Sequence, residues 1–386
     1  MANLISYKMI WFWVVFTLAN EISGAKGGQE RSCLPPPAIF VFGDSLSDTG
    51  NAIAAFPFLA GLADADNSPY GDTFFHAPSG RFSDGRLILD FMALAWRFPL
   101  VEPYFSNIVP NYRHGINFAV AGATTRNVTE TVPFCLPLQT DQFVRFKRNV
   151  IASLNSKNKL DGLLATYVPE IKSFEDGLYM IFVGVNDFLI SLSTHRQPPS
   201  TVKENIVPQV TAAISKAVQD LHREGAKNFM IFNVPAIGCI PMFLTSASPG
   251  PYNSTDALGC LKDYNELVQF SNRKLEKALS TINQQLKDAN IMVADIYGFM
   301  LEAVGHPSNF GFDEAVTLKA CCGYGGDPYN YSPRIICGTD PEAKACSDPS
   351  KYIRWDGVHL TDAFSGKFVG EMMKESSRYL RPLKRR

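Results

Sequence analysis

Short apolar runs at residues 38–42, 116–120, 178–183, 229–232 and 291–294 constrain this chain more than any other feature of it. Each meets Gly, Asn or Asp within two residues of its end, and none keeps up an apolar-polar alternation. Continuous runs of this length are the mark of strands buried on both faces, because neither side meets water. Helical periods lie between them. Ile206, Val210, Ala213, Ala217 and Leu221 recur at three or four within 202–223, as do Leu275, Leu279, Ile282 and Leu286 within 264–286. Strand-helix alternation predicts an α/β chain with a parallel sheet covered by helices on both sides. In such a sheet a ligand binds beyond the carboxyl ends of the strands. The residues that follow each run are therefore the ones to inspect.

Of the 386 residues, 46% are hydrophobic and 19% charged, a balance that excludes a disordered or collagen-like chain. With 36 Lys and Arg against 37 Asp and Glu there is no basic surplus for phosphate, which argues against nucleic acid as a partner. Lys8, the short apolar run 9–19 and the small residues Ser23 and Ala25 read as a signal peptide over 1–25, cleaved after Ala25. The run is too short to cross a membrane, which takes about 20 residues, and no second candidate span exists. A soluble protein of the secretory pathway is expected, with 26–386 as one domain, since no linker or internal repeat interrupts it. Two loop-rich insertions, 56–83 and 305–352, break the strand-helix rhythm, and long ordered loops tend to carry function.

All eight cysteines (Cys33, Cys135, Cys239, Cys260, Cys321, Cys322, Cys337 and Cys346) lie after the signal segment. An oxidising compartment favours disulfides, although eight thiols allow 105 pairings. The neighbours Cys321 and Cys322 are expected to bond to different partners, because joining them would strain the backbone. No Cys-x-x-Cys or His-Glu-x-x-His is present, so no metal site is expected. Asn127, Asn253 and Asn330 head glycosylation triplets, with Pro333 following the third.

Chemistry is concentrated at four places. The first run is followed by Gly43-Asp44-Ser45-Leu46-Ser47, which sets a serine hydroxyl and its N–H at the sheet edge, at the start of a helix. The second leads to Gly122, whose backbone can approach a ligand closely. The third leads to Gly184-Val185-Asn186-Asp187, and an asparagine amide donates to an oxyanion without bringing charge. Near the end, Asp356 and His359 stand three apart across Gly357. One turn then puts the carboxylate on one imidazole nitrogen while the other faces Ser45. Each also has an ordinary reading: a serine cap, a tight turn at Gly122, a turn at Asn186-Asp187, a surface Asp and His. The other five histidines (His76, His114, His195, His222 and His306) read as surface or structural. Gly-x-Ser-x-Gly is absent, which sets the chain apart from the common α/β-hydrolase arrangement.

Taken in order, these blocks resemble the plant GDSL esterase/lipase family within the SGNH hydrolases, where Ser, Gly, Asn and His match Ser45, Gly122, Asn186 and His359. Gly80-Arg81-Phe82-Ser83-Asp84-Gly85-Arg86 and Cys321-Cys322-Gly323 resemble plant members too. The resemblance runs from about Pro36 to the final helix, nearly the whole mature chain, and is nearest the acetylesterase and choline-ester branch. It implies a flavodoxin-like three-layer α/β/α sandwich (the SGNH hydrolase fold) and ester hydrolysis without metal or cofactor. The catalytic residues implied are Ser45, His359 and Asp356, with an oxyanion hole of the Ser45 and Gly122 N–H groups and the Asn186 amide. The expected substrate is a small-molecule ester, with a short, acetyl-type group removed from a plant specialised metabolite. The expected location is the apoplast, with the vacuole as alternative. Two rival functions remain: an acyltransferase with the same acyl-enzyme, and a non-catalytic glycosylated wall or defence binding protein.

Overall fold

The run at 38–42 forms β1, Ile39–Gly43, buried along its whole length. Around it stand β2 (Gly115–Asn117), β3 (Leu178–Phe182), β4 (Asn228–Phe232) and β5 (Asn290–Ala294). The computed structural model describes residues 35–58, 64–105, 109–128, 132–155, 163, 165–246 and 251–383. The expected signal segment 1–25 and Cys33 lie outside the described residues. The chain divides into Met1–Pro35 and Pro36–Arg386, and everything below concerns the second unit.

The strand order is β2-β1-β3-β4-β5-β6, and β1 to β5 run parallel. The sixth strand, β6 (Leu380–Pro382), was not expected and pairs antiparallel with β5. Pro382 lacks an N–H, and proline fits a sheet only where no ladder donor is needed, as on this edge. β2 is shorter than its apolar run and ends at Asn117, whose side chain accepts the Ala119 N–H at 2.9 Å. Contact with β1 continues through Phe118 N–H to Val41 O (2.8 Å) and Val120 N–H to Gly43 O (3.2 Å).

Eight helices matter for the site: α1 (Asn51–Ala55), α2 (Ile88–Ala95), α3 (Leu136–Leu154), α4 (Val185–Leu189), α5 (Pro199–Arg223), α6 (Lys262–Gln285), α7 (Ile296–Gly305) and α8 (Asp362–Met372). Both long periodic segments are helical, the helices beginning at Pro199 and Lys262, two or three residues before the segments read from the sequence. α5 packs between α3 and α6 on one face, and α2 packs on α8 on the other. Alternate strand residues fill the two layers. Phe40 and Phe42 meet Phe143 of α3 at 5.3 and 5.9 Å. On the opposite face Phe232 meets Phe368 of α8, which in turn packs on Phe299 of α7. The result is a three-layer α/β/α sandwich.

This order puts β2 on one side of β1 and β3 on the other, so successive connections leave in opposite directions. Such a reversal opens a crevice at the carboxyl ends of the two strands. Here it lies between β1 and β3.

Candidate active site

Ser45 follows β1 by two residues, in a turn closed by the N–H groups of Ser47 and Asp48 on Asp44 O at 3.0 Å each. It was expected at a helix start, but α1 begins only at Asn51. Gly50, at φ 133°, separates the turn from the helix. Gly43 must be glycine: a Cβ there would lie 2.3 Å from Phe182 O. Its two peptide groups are held by Gln139, a fully buried residue in the first turn of α3. Gln139 Oε1 accepts from Gly43 N at 2.8 Å, and its Nε2 donates to Gly43 O and Phe134 O, also at 2.8 Å.

Asp48 accepts four backbone N–H groups, from Gly50 (2.8 Å), Asn51 (2.6 Å), Ala52 (3.0 Å) and Ala121 (2.7 Å). Burial pushes its carboxyl up to about 6, against the pull of those donors. The Ala121 contact ties the serine loop to the residue before Gly122. Asn51 and Asn117 fasten the same two loops. Asn51 Nδ2 donates to Asn117 O and Ala119 O at 2.8 Å, and Asn117 Nδ2 donates to Ser47 O at 2.6 Å. Asp44 is wholly buried. Burial raises its carboxyl to about 7, with the Leu46 N–H and the His359 charge opposing.

Gly122 lies beyond β2 at φ 80°, a conformation open to glycine and costly for other residues. Asn186 lies in the first turn of α4 rather than in an irregular turn. Its Nδ2 donates to Ala123 O at 2.9 Å, and an amide nitrogen has a second hydrogen to offer. Asp187 points the other way. It accepts from Thr125 N (2.8 Å), Thr125 Oγ1 (3.0 Å) and Arg126 Nε (3.1 Å), which locks the loop after β3 to the loop after β2.

The fourth block arrives from the far end of the chain. Asp356 Oδ1 accepts the N–H groups of Val358 and His359, both at 2.7 Å, and folds the segment back on itself. His359 Nδ1 then lies 2.7 Å from Asp356 Oδ2, and its Nε2 lies 2.9 Å from Ser45 Oγ. Burial works to raise the Asp356 carboxyl, but the His359 charge and the hydrogen bonds it receives outweigh burial and hold it down to about 2.

The first insertion supplies two contacts that the sequence reading missed. Tyr70 OH donates to Asp356 Oδ2 at 2.8 Å, and the Phe82 ring lies 4.9 Å from the His359 ring. No local pattern marks either, since both partners are hundreds of residues away. The Gly80–Arg86 segment is a frame. Arg81 grips buried Asp90 through Nε (2.8 Å) and Nη2 (2.9 Å), while Asp84 Oδ1 accepts the Asp362 N–H at 2.8 Å. Arg86 Nε reaches Asp362 Oδ1 at 2.9 Å. Asp362 opens α8, three residues after His359, so the frame sets where the imidazole sits.

The second insertion is tied by Cys321–Cys346 and Cys322–Cys337, so the adjacent cysteines do take different partners. Cys239–Cys260 is a third bridge, and Cys135 is a buried free thiol. The Cys321 N–H donates to Arg354 O (3.1 Å) and the Cys322 N–H to Trp355 O (2.6 Å), so the bridged segment braces the backbone leading to Asp356. A cavity of about 540 Å³ lies behind the turn, lined by Tyr329, Tyr331, Asn253 and Asp327 among others. None of Ser45, Gly122, Asn186 or His359 lines it, so it is not the crevice at the serine. Tyr331 on the cavity wall also packs on the Asp356 turn, its ring occupying the space a Cβ on Gly357 would need.

Of the remaining histidines, His222 pairs with Asp288 at 2.9 Å on the surface and His114 stacks on Phe98. Asn127 and Asn253 are exposed. Asn330 is half-buried, and its amide already donates to Ala320 O at 3.0 Å. Among the described residues no cluster of three His, Cys, Asp or Glu side chains is placed to hold a metal, and no helix is long and apolar enough to cross a membrane.

Residues 39–369 match the family model described as GDSL-like Lipase/Acylhydrolase. The chain is similar to GDSL esterase/lipase At4g01130 of Arabidopsis thaliana, 36% identical with 84% of each chain covered. It is also similar to an esterase of Hevea brasiliensis, 36% identical over 87% of this chain and 85% of the relative. GDSL esterase/lipase ENOD8 of Medicago truncatula is 37% identical over 85% of this chain and 83% of its own.

Proposed function

This chain belongs to the GDSL-like lipase/acylhydrolase family and is a serine carboxylester hydrolase, and from that premise we propose that Ser45, His359 and Asp356 perform the hydrolysis. The observation that carries this reading is the pair of contacts on one imidazole, Nε2 to Ser45 Oγ at 2.9 Å and Nδ1 to Asp356 Oδ2 at 2.7 Å. A serine hydroxyl is a weak nucleophile until a neighbouring base takes its proton.

In the first step the Ser45 oxygen forms a bond to the ester carbonyl carbon while His359 Nε2 takes the hydroxyl proton. The carbonyl oxygen becomes an oxyanion, met by the N–H groups of Ser45 and Gly122 and the free amide hydrogen of Asn186. Asp356 keeps Nδ1–H in place and balances the imidazolium charge. As the intermediate collapses the bond to the alcohol oxygen breaks, and His359 returns the proton to that oxygen. Water then repeats the sequence on the acyl-enzyme, releasing the carboxylic acid and restoring Ser45.

The substrate is a small ester carrying a short, acetyl-type acyl group on a plant metabolite, in keeping with the acetylesterase-like character of the sequence. Residues 1–25 act as a signal peptide and 26–386 as one hydrolase domain that reaches the apoplast or vacuole. The three disulfides and the exposed side chains of Asn127 and Asn253, where glycans would attach, support that route. The test compares wild type and Ser45→Ala on a chromogenic acetate ester, with and without an acceptor alcohol. Loss of at least about 10³-fold in Ser45→Ala, with acid as the product, is expected. Ester formed with the alcohol makes it a transferase; equal rates in the two proteins refute the assignment.

A further inference from the structure

The Asp356 carboxylate has more donors than an acid partner for one histidine needs. Oδ1 is occupied by two backbone N–H groups of its own turn, and Oδ2 is shared between His359 Nδ1 (2.7 Å) and the Tyr70 hydroxyl (2.8 Å). Tyr70 comes from the first insertion and is buried to 2% exposure. Its ring lies edge-on to Trp355 at 5.7 Å and Phe82 at 6.1 Å. Gly338 packs against the same ring: it sits at φ 82°, and a Cβ there would approach the Tyr70 ring to 2.9 Å. Gly338 follows Cys337, whose disulfide partner Cys322 donates its N–H to Trp355 O. Residues of both insertions therefore hold the ring that carries this hydroxyl.

We propose that Tyr70 is a positioning residue for the acid-base pair, its hydroxyl fixing the Asp356 carboxylate and limiting how strongly that carboxylate holds a proton on His359. This rests on the roles given above to Ser45, His359 and Asp356. The physical argument is short. A donor on Oδ2 withdraws charge from the oxygen that faces Nδ1, so the imidazolium is held less tightly. The same bond stops the carboxylate rotating away while Nδ1–H waits for the proton transfer at Nε2. Burial, and next the Asp356 charge, push the Tyr70 phenol well above its ordinary range, so it stays a donor. The other ionisable groups acting on this cluster are Arg354, Tyr331, Asp44 and Asp64. All are unchanged in the variants below.

The experiment records kcat and KM against pH on a chromogenic acetate ester for wild type, Tyr70→Phe, Ser68→Ala and a protein carrying fluorotyrosine at position 70. In parallel, the proton resonance of His359 Nδ1–H is followed by NMR. Tyr70→Phe should move the acid limb of kcat/KM upward by about half to one pH unit, lower kcat about three- to ten-fold and leave KM unchanged. Fluorotyrosine keeps the ring and strengthens the donor, so its acid limb should move downward. Ser68→Ala removes a contact to Asp72 in the same loop and should keep the wild-type profile, which separates Asp356 contact from loop loosening. Acid limbs and Nδ1–H resonances that coincide in wild type, Tyr70→Phe and the fluorotyrosine protein overturn the proposal, whatever happens to Tm. Full activity in Ser45→Ala would instead overturn the underlying assignment, and the resonance would still report whether Tyr70 governs the Asp356–His359 bond.

Discussion

Replacing Gln139 with leucine isolates the link between the core and the loop that carries Ser45. The side chain is fully buried, makes three hydrogen bonds of 2.8 Å, and carries no charge to complicate the sum. Leucine has similar bulk, so packing is largely kept. Gly43 O retains the Val120 N–H, but the Gly43 N–H and Phe134 O lose their Gln139 partner. Stranding a buried polar group costs about 1–3 kcal/mol, so the two together cost about 2–6 kcal/mol of a total that is about 5–15 kcal/mol in ordinary proteins. Gly43 is two residues before Ser45, so turnover should fall about ten-fold through misplacement of the hydroxyl. Urea denaturation gives the first quantity and steady-state hydrolysis the second. Gln139→Glu is the companion. It keeps an acceptor for Gly43 N–H but points a second oxygen at two carbonyls, so the acid is favoured over its anion in the folded state. A folded-state pKa raised in this way gives stability at low pH that is lost as pH rises. Gln139→Leu within 0.5 kcal/mol of wild type, at full turnover, would refute the reasoning.

Stability should fall at both ends of the pH range for separate reasons. Asp356 is held down to about 2 from an ordinary 3.8, so its contribution, about 2 kcal/mol, is present above about pH 4 and lost as pH falls toward 2. Asp44 is raised to about 7, so its contribution is complete below about pH 4 and disappears as pH rises through 7. Asp44→Asn should flatten the neutral-to-alkaline fall of Tm and leave the acid side unchanged, and thermal scans between pH 3 and 9 check both limbs. Reduction of the disulfides should abolish hydrolysis before secondary structure is lost, because Cys321 and Cys322 brace Arg354 and Trp355, immediately ahead of Asp356. Activity and far-ultraviolet circular dichroism followed through a dithiothreitol titration test this; coincident loss of both signals would count against it.

Residues near one another in the chain determined the architecture. A strand with layers on both faces must be apolar throughout, so β1, β3, β4 and β5 could be read from their runs, and the stripe of an amphipathic helix repeats every three to four residues whatever it packs on. The blocks holding Ser45, Gly122, Asn186 and the Asp356–His359 pair were legible for the same reason, since each follows a strand or forms its own turn. Pairings across the molecule were not. Tyr70 meets Asp356 across 286 positions and Gln139 meets Gly43 across 96. Which cysteines join, where Ser45 sits relative to α1, and that β6 pairs antiparallel on the edge belong to the same class. Such contacts depend on the order in which strands lie side by side and on how the two insertions fold over their ends. Burial and periodicity along the chain encode neither, so only the tertiary structure decided which side chains meet at the serine.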